Sequence, residues 1–391
     1  LIAFRAVQGV GAGGLMSLAL AIVGDVIPPR DRGRYQGYFG AVFGVSSVLG
    51  PLVGGLLVQI DWRWVFYVNL PVGILALIVV NRVLHLDHQR RKARIDWAGA
   101  TLLVGGVSGI LIAVQNYGSS ARMSPVSWTF AAVGLVALLA FVWWEGRAAE
   151  PILPLRLFRN DVFRVTTSLS LITGAVMFGA IIFLPQYMQL VRGVSPTMSG
   201  LRLLPMLAGI LFTSIGSGYL ISKYGRYRGY VIGGTALFVL GTYLLTRIHV
   251  DTGFWMFSLI LFVVGFSLGL FMQVTTLATQ NSVDLSDMGV ATSAVSFFRT
   301  LGGAIGSAVL GSILIAQARA VGPHEVAAHG PRLGPLYAFT EGMDRAYLWA
   351  IPVAVLAFVV ALFLREAPLR TSNDPKVKEA LAEMTEPVGA I

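Results

Sequence analysis

The sequence has no cysteine, so it can form neither disulfides nor thiolate metal sites, and that absence alone does not fix a compartment. Charge is scarce as well. Only 12% of the 391 residues are charged, roughly half the share a soluble domain carries. Acids are the rarer sign, 19 against 29 Lys and Arg, and none lies in the middle of an apolar run. The five histidines, His85, His88, His249, His324 and His329, fall in loops or at the ends of apolar runs. Acid–base catalysis or a metal centre inside a membrane therefore lacks its parts, which argues against an enzyme. No phosphate-cradling Gly-rich loop ending in Gly-Lys-Ser/Thr is present, so ATP drive has no support. No secretory leader is visible: Leu1 opens directly into an apolar stretch.

Apolar surface is what the chain has in abundance. It is 55% hydrophobic with a mean hydropathy of +0.74. Runs of about 20 apolar residues match the hydrocarbon thickness of a bilayer when helical. In lipid, a helix satisfies its own backbone groups. The runs predict an all-α polytopic membrane protein with eleven spans, at 1–24, 36–58, 65–84, 97–116, 127–145, 163–185, 197–221, 229–248, 254–279, 290–316 and 346–364. No soluble domain is expected. The longest exposed pieces are 317–345 and the tail after Arg365. Nineteen of the 29 basic residues fall in one set of loops, among them Arg30, Arg34, Arg91, Lys92, Arg159, Lys223, Arg226 and Arg365; eight fall in the other. The richer side is the cytoplasmic one. Basic loops of this kind account for the net charge of +10 without a nucleic-acid partner. The chain then starts outside and ends inside, and an odd span count points to leading helices upstream of Leu1.

Small residues cluster in the second run, GYFGAVFGVSSVLGPLVGG. Ser46, Gly50 and Gly54 are spaced four apart, and Ser47, Pro51 and Gly55 form the adjacent row, so both rows share a helix face. Such a face lets another helix come close. Pro51 frees the Ser47 carbonyl and loosens the helix. This suits halves that rock against each other, or equally a tight, immobile helix pair. Arg5 sits in the first run with Gln8 and Gly9, either facing a cavity or snorkelling to the outer surface. Asp25 closes that run as an interfacial acid. Asn69, entering the third run, needs a polar partner. Arg299 lies about 13 Å along its span at helical rise, marginal for snorkelling, which favours a cavity. Gln273 follows Phe271 and Met272, a pliant surface suited to varied ligands. Gln186 and Tyr187 mix amide and aromatic groups at an outer end, as ligand lining or as interfacial anchors. The hydroxyls of Thr166, Thr167, Ser168, Ser170 and Thr173 line a cavity or bond their own helix carbonyls.

Gly37-x8-Ser46-x3-Gly50-Pro51-x2-Gly54-Gly55 resembles the antiporter motif of the major facilitator superfamily, with serine at 46 where the family has glycine. Arg5-x2-Gln8-Gly9-x-Gly11-Ala12 resembles the superfamily's fourth-helix motif, linked to proton transfer in proton-coupled members. Asp25 is similar to an acidic residue that pairs with an arginine of an earlier cytoplasmic loop. Asp61-Trp-Arg-Trp-Val-Phe-Tyr-Val-Asn69-Leu-Pro-Val-Gly73 resembles the hallmark of the fourteen-span drug:proton antiporter branch (EmrB/QacA-like). Gly218-x3-Ser222-Lys223-Tyr224-Gly225-Arg226 resembles the cytoplasmic loop motif in its second-half copy, with serine at 222 where aspartate is usual. The resemblance implies a major facilitator fold of two pseudo-symmetric bundles plus two extra linking helices. Residues 1–84 would be the remainder of the N-terminal bundle, 85–162 the linking spans and loops, 163–365 a six-helix C-terminal bundle, and 366–391 a cytoplasmic tail. It implies proton-coupled export of small amphipathic molecules such as drugs across the cytoplasmic (inner) membrane by alternating access, without a cofactor. Arg5, Gln8 and Asp25 would serve coupling, and the proton-carrying acid would lie upstream of Leu1. A transporter of one metabolite or siderophore in the same fold is an alternative, and a non-transporting receptor or sensor a more distant one. The partners implied are the small-molecule substrate, protons and the lipid bilayer, with a periplasmic adaptor open in a Gram-negative host.

Overall fold

The computed structural model describes residues 2–84, 95–120, 124–367 and 369. The basic loop at 85–94 and the tail from 370 lie outside them. The described residues are mainly helical, without a strand. They form α1 (Ile2–Val26), α2 (Pro29–Ile60), the short α3 (Trp64–Tyr67), α4 (Asn69–Val83), α5 (Trp97–Ser120) and α6 (Pro125–Glu145). After a 3-10 turn at Leu155–Arg159 come α7 (Asp161–Leu190), the short α8 (Pro196–Leu201), α9 (Leu204–Tyr224), α10 (Arg228–Leu245), α11 (Phe254–Ser282) and α12 (Met288–Leu362). Among them, nine stretches are long and apolar enough to cross a membrane.

Local chemistry sets the helix ends. The Ser124 hydroxyl accepts the Ser127 N–H ahead of Pro125, and Ser195 accepts the Met198 N–H ahead of Pro196. Asn160 caps α7 by accepting from Val162 and Phe163. Each cap satisfies a donor that the first turn leaves open. Gly225 ends α9 at φ 72°, a left-handed backbone that glycine adopts without Cβ strain.

Two of the eleven expected spans, 290–316 and 346–364, are arms of one element, and the exposed piece expected at 317–345 is helical. α12 doubles back at Gly330 (φ 80°, ψ 170°) into a long antiparallel hairpin. The Gln317 amide donates to Glu341 across the arms at 3.3 Å, and the His329 ring stacks on Tyr337 with centroids 4.0 Å apart. A methyl on Gly334 would stand 2.5 Å from the Val326 Cα. Gly322, Pro323, Pro331, Gly334 and Pro335 read as loop punctuation in the sequence. Here only Gly330 leaves helical geometry, and the alanines between keep the arms helical. α2 also begins seven residues earlier than expected, and its 32 residues span about 48 Å at helical rise.

α7 and α9 to α12 share one apolar core, with Leu169, Leu184, Tyr187, Ile221, Val231, Leu261 and Tyr347 fully covered. α7 and α12 touch backbone to backbone: a methyl on Gly302 would collide with the Leu171 carbonyl, and one on Gly174 with that of Arg299. Close approach of this kind replaces the hydrophobic drive that lipid does not supply. α5 and α6 pair with each other and lean on α12, where Ser312 donates to the Val114 carbonyl at 3.4 Å. An apolar groove of about 320 Å³ remains between them, lined by Phe141, Phe158, Phe297 and Phe298 among others.

One end of this bundle is clasped by the segment following α12. The Glu366 carboxylate accepts the Tyr227 N–H at 2.7 Å and the Arg228 N–H at 3.4 Å. The Tyr227 hydroxyl donates to the Arg365 carbonyl and accepts the Ala367 N–H. Arg365 pairs with Asp161 at 2.7 Å. Burial pushes the Tyr227 phenol above its ordinary value.

Candidate functional site

α2 belongs to the first part of the chain and α9 to the second, and they run against each other at backbone distance. A methyl on Gly37 would lie 2.6 Å from the Ser214 carbonyl oxygen. One on Gly40 would lie 2.6 Å from the Ser214 hydroxyl and 2.9 Å from Gln273 Cγ. Towards the N-terminal end of α2, Gly33 faces Gly218 and Ser222, and the Arg34 N–H donates to Ser222 Oγ at 3.2 Å. At the other end Gly55 faces Pro196 and Thr197, and Gly200 faces Leu52. At Gly37, Gly40, Gly55, Gly200 and Gly218 a Cβ would come under 3.0 Å, so these positions need the hydrogen, whereas at Gly33 it would stand at 3.0 Å, which a small shift of the neighbours accommodates.

Of the seam residues singled out in the sequence, Gly37 and Gly55 make these contacts. Ser46 is exposed, and Gly50 and Gly54 have nothing within 4 Å of a would-be Cβ. The Pro51 side chain lies outside the described residues. The contacting row is Gly33, Gly37, Gly40 and Gly44, at spacings of four, three and four. That is a helical stripe legible in the sequence but one face over from the rows that drew attention. In the loop motif, Gly218 touches Gly33, Ser222 bonds Arg34, Gly225 caps α9, and Lys223 and Arg226 are exposed, Lys223 lying over the Tyr224 ring at 5.4 Å.

A buried polar strip on α11 faces this contact. Near its C-terminal end the Gln36 amide of α2 donates to Gln280 Oε1 at 3.2 Å. Gln280 in turn donates to the Leu20 carbonyl of α1 and to Thr292 Oγ1 of α12, each at 3.2 Å. One amide thus ties four helices together. Thr279 and Thr166 share a hydrogen bond of 2.6 Å between α11 and α7.

Seven residues before Gln280, Gln273 is 2% exposed and neither end of its amide has a partner among the described residues. The Thr276 hydroxyl, one turn on, is also unpartnered. Arg299 of α12 reaches this level. It is 7% exposed, and its Nη1 donates to the Met272 carbonyl at 3.4 Å. Arg299 and Gln273, expected separately in cavities, are therefore brought to one level of the α11–α12 junction. By helical rise Gln273 lies about 14 Å from the C-terminal end of α11.

The remaining candidates are placed elsewhere. Tyr187 is fully buried, donates to the His249 carbonyl at 2.7 Å and stacks on Phe257, while Gln186 beside it is exposed. Asn69 is exposed and donates to the Val65 and Phe66 carbonyls of its own helical stretch. Thr166, Thr167 and Thr173 bond carbonyls one turn back, the local alternative to lining a cavity. Gln8 lies on an exposed part of α1. The Arg5 and Asp25 side chains lie outside the described residues. Sequence reasoning passed over Gln36, close enough to a span end to read as interfacial, and gave Gln280, one of the polar residues ending its span, no role of its own. It also passed over the acids of the linking pair. There Asp96 accepts the Trp144 indole N–H at 2.9 Å, and Glu145 accepts the backbone N–H groups of Ile152 and Leu153.

Comparison with known proteins gives a match of residues 1–307 to the family model described as Major Facilitator Superfamily. An uncharacterized MFS-type transporter of Mycobacterium tuberculosis is 39% identical over 390 residues, covering 95% of this chain and 57% of its own length. The multidrug transporter protein MdtP of Bacillus subtilis is 37% identical over 81% of this chain and 59% of its own. Multidrug resistance protein 3 of the same organism is 33% identical over 80% and 61%. The chain thus spans about three-fifths of the length of these relatives.

Proposed function

Because the chain belongs to the major facilitator superfamily, we propose that the protein exports small amphipathic molecules across the cytoplasmic membrane by alternating access, in exchange for protons, as a member of the fourteen-span drug:proton branch. The arrangement that carries the reading is the junction of the two parts of the chain. α2 meets α9 mainly through glycine and serine, and two neutral hydrogen bonds, the amide bridge from Gln36 to Gln280 and the Arg34 N–H to the Ser222 hydroxyl, fasten the cytoplasmic end. Contacts of this kind are made and broken at low cost, since a neutral hydrogen bond contributes about 0.5–1.5 kcal/mol net. Above the bridge the strip keeps unpartnered polar groups. A cleft that opens to one side and then the other would expose them in turn. The names of two relatives, a multidrug transporter and a multidrug resistance protein, agree with an amphipathic cargo. Arg5, Gln8 and Asp25 of α1 are proposed for coupling on the motif resemblance.

Dye efflux from cells expressing the full-length protein tests the reading, with and without a proton uncoupler. Efflux that stops on collapse of the gradient supports it. Efflux that continues contradicts proton coupling, and no efflux of any cargo in a broad panel contradicts export.

A further inference from the structure

We propose that Arg299, Gln273, Thr276 and Ser296 form a receptor for an anionic group, such as a carboxylate, sulfonate or phosphate, on the molecule carried; the inference rests on the export reading above. Arginine stays charged in any protein environment. Arg299 is buried, yet its one hydrogen bond among the described residues is a long one, 3.4 Å to a neutral carbonyl, and no described carboxylate pairs with it. A buried cation needs a counter-charge and further hydrogen bonds, or its desolvation is uncompensated.

The groups around it have the complementary lack. The Gln273 amide carries two donor hydrogens and an acceptor, all without partners. The Thr276 hydroxyl follows one turn along α11, and the unpartnered Ser296 hydroxyl stands one turn before Arg299 on α12. Gln280, further along the same polar strip, shows what satisfaction looks like. Its oxygen takes Gln36, and its nitrogen serves Leu20 and Thr292. The contrast lies within one helix and one residue type. Guanidinium, amide and two hydroxyls together offer donors in excess, the set that binds an anion's several lone pairs.

The test uses purified full-length protein and two probes, rhodamine B and its ethyl ester, which differ by the free carboxylate. Binding is read by fluorescence anisotropy. The wild type is expected to bind the acid at least tenfold more tightly than the ester. R299Q should remove that preference, and R299K, which keeps the charge, should retain most of it. Q273L should weaken acid binding several-fold with its unfolding midpoint unchanged or raised, because no hydrogen bond is lost. A wild type that binds both probes alike overturns the proposal, as does R299Q weakening both equally. Preference for the acid without gradient-driven export would leave the anion site standing and sink the export reading. Export of the ester without any preference would do the reverse.

Discussion

Gln280 and Asn69 show how far a single polar residue in an apolar run can be read. Both must find partners in lipid, but Asn69 finds two carbonyls on its own stretch, whereas Gln280 reaches three other helices. Nothing in sequence spacing separates local from distant satisfaction. Arg299 was legible because a charge that far along its span is marginal for snorkelling, which favoured a buried polar setting. Gln36 was hidden by the basic turn before it, where amides are commonplace. Replacing Gln280 with leucine should strand the Gln36 amide, a loss of about 1–3 kcal/mol from the state in which the cytoplasmic end is shut. The expected result is a roughly fivefold or greater rise in maleimide labelling of a cysteine placed on that strip. The cysteine-free chain gives a clean background for this reading. Unchanged labelling would mean that the amide bridge does not hold that end. Gly37→Leu should drive a side chain into the Ser214 carbonyl and reduce export at least tenfold in protein that still inserts. Normal export by this variant would remove the α2–α9 contact from the mechanism.

At the scale of elements, the order of the helices follows from the apolar runs, but α2 is not among the nine stretches apolar enough to cross a membrane, and the hairpin in α12 is not legible from run length. Six glycines and prolines between 322 and 335 have the composition of a loop, yet one positive φ, at Gly330, suffices to turn the chain. That conformation is open almost solely to glycine, and another residue there costs about 1–3 kcal/mol. Gly330→Val should therefore speed limited proteolysis within the hairpin several-fold while the cytoplasmic half resists as before. Equal rates would show that the turn bears no strain. The clasp after α12 is a second element that sequence reasoning merged into a polar tail. Removing Glu366 by alanine substitution unpairs two backbone donors and should lower stability by about 1.5–3 kcal/mol. The buried Tyr227 phenol has a raised pKa in the folded chain, so its contribution is flat below the ordinary tyrosine value of 10.0 and is lost as pH climbs above that. Thermal unfolding followed from pH 7 to 11 should bend downward only at the alkaline end, and less so in Tyr227→Phe.

The whole molecule joins two sets of helices through backbone contact at glycine and a few amide and hydroxyl bonds. Membership of the major facilitator superfamily was readable from the resemblance of motifs in the first 75 residues or so. The face that makes the approach was not, since adjacent rows of small residues look alike until a partner is present. The central claim is that the cytoplasmic ends of α2 and α9 must part during each cycle. Gly33 and Ser222 stand where a methyl on the first would lie 3.0 Å from the hydroxyl of the second, close to the spacing of a disulfide. Export is best measured in the full-length protein carrying Gly33→Cys and Ser222→Cys, before oxidation, after it, and after reduction. The account predicts export that stops when the bridge forms and returns when it is reduced, with each single variant active throughout. Undiminished export by fully bridged protein would contradict it.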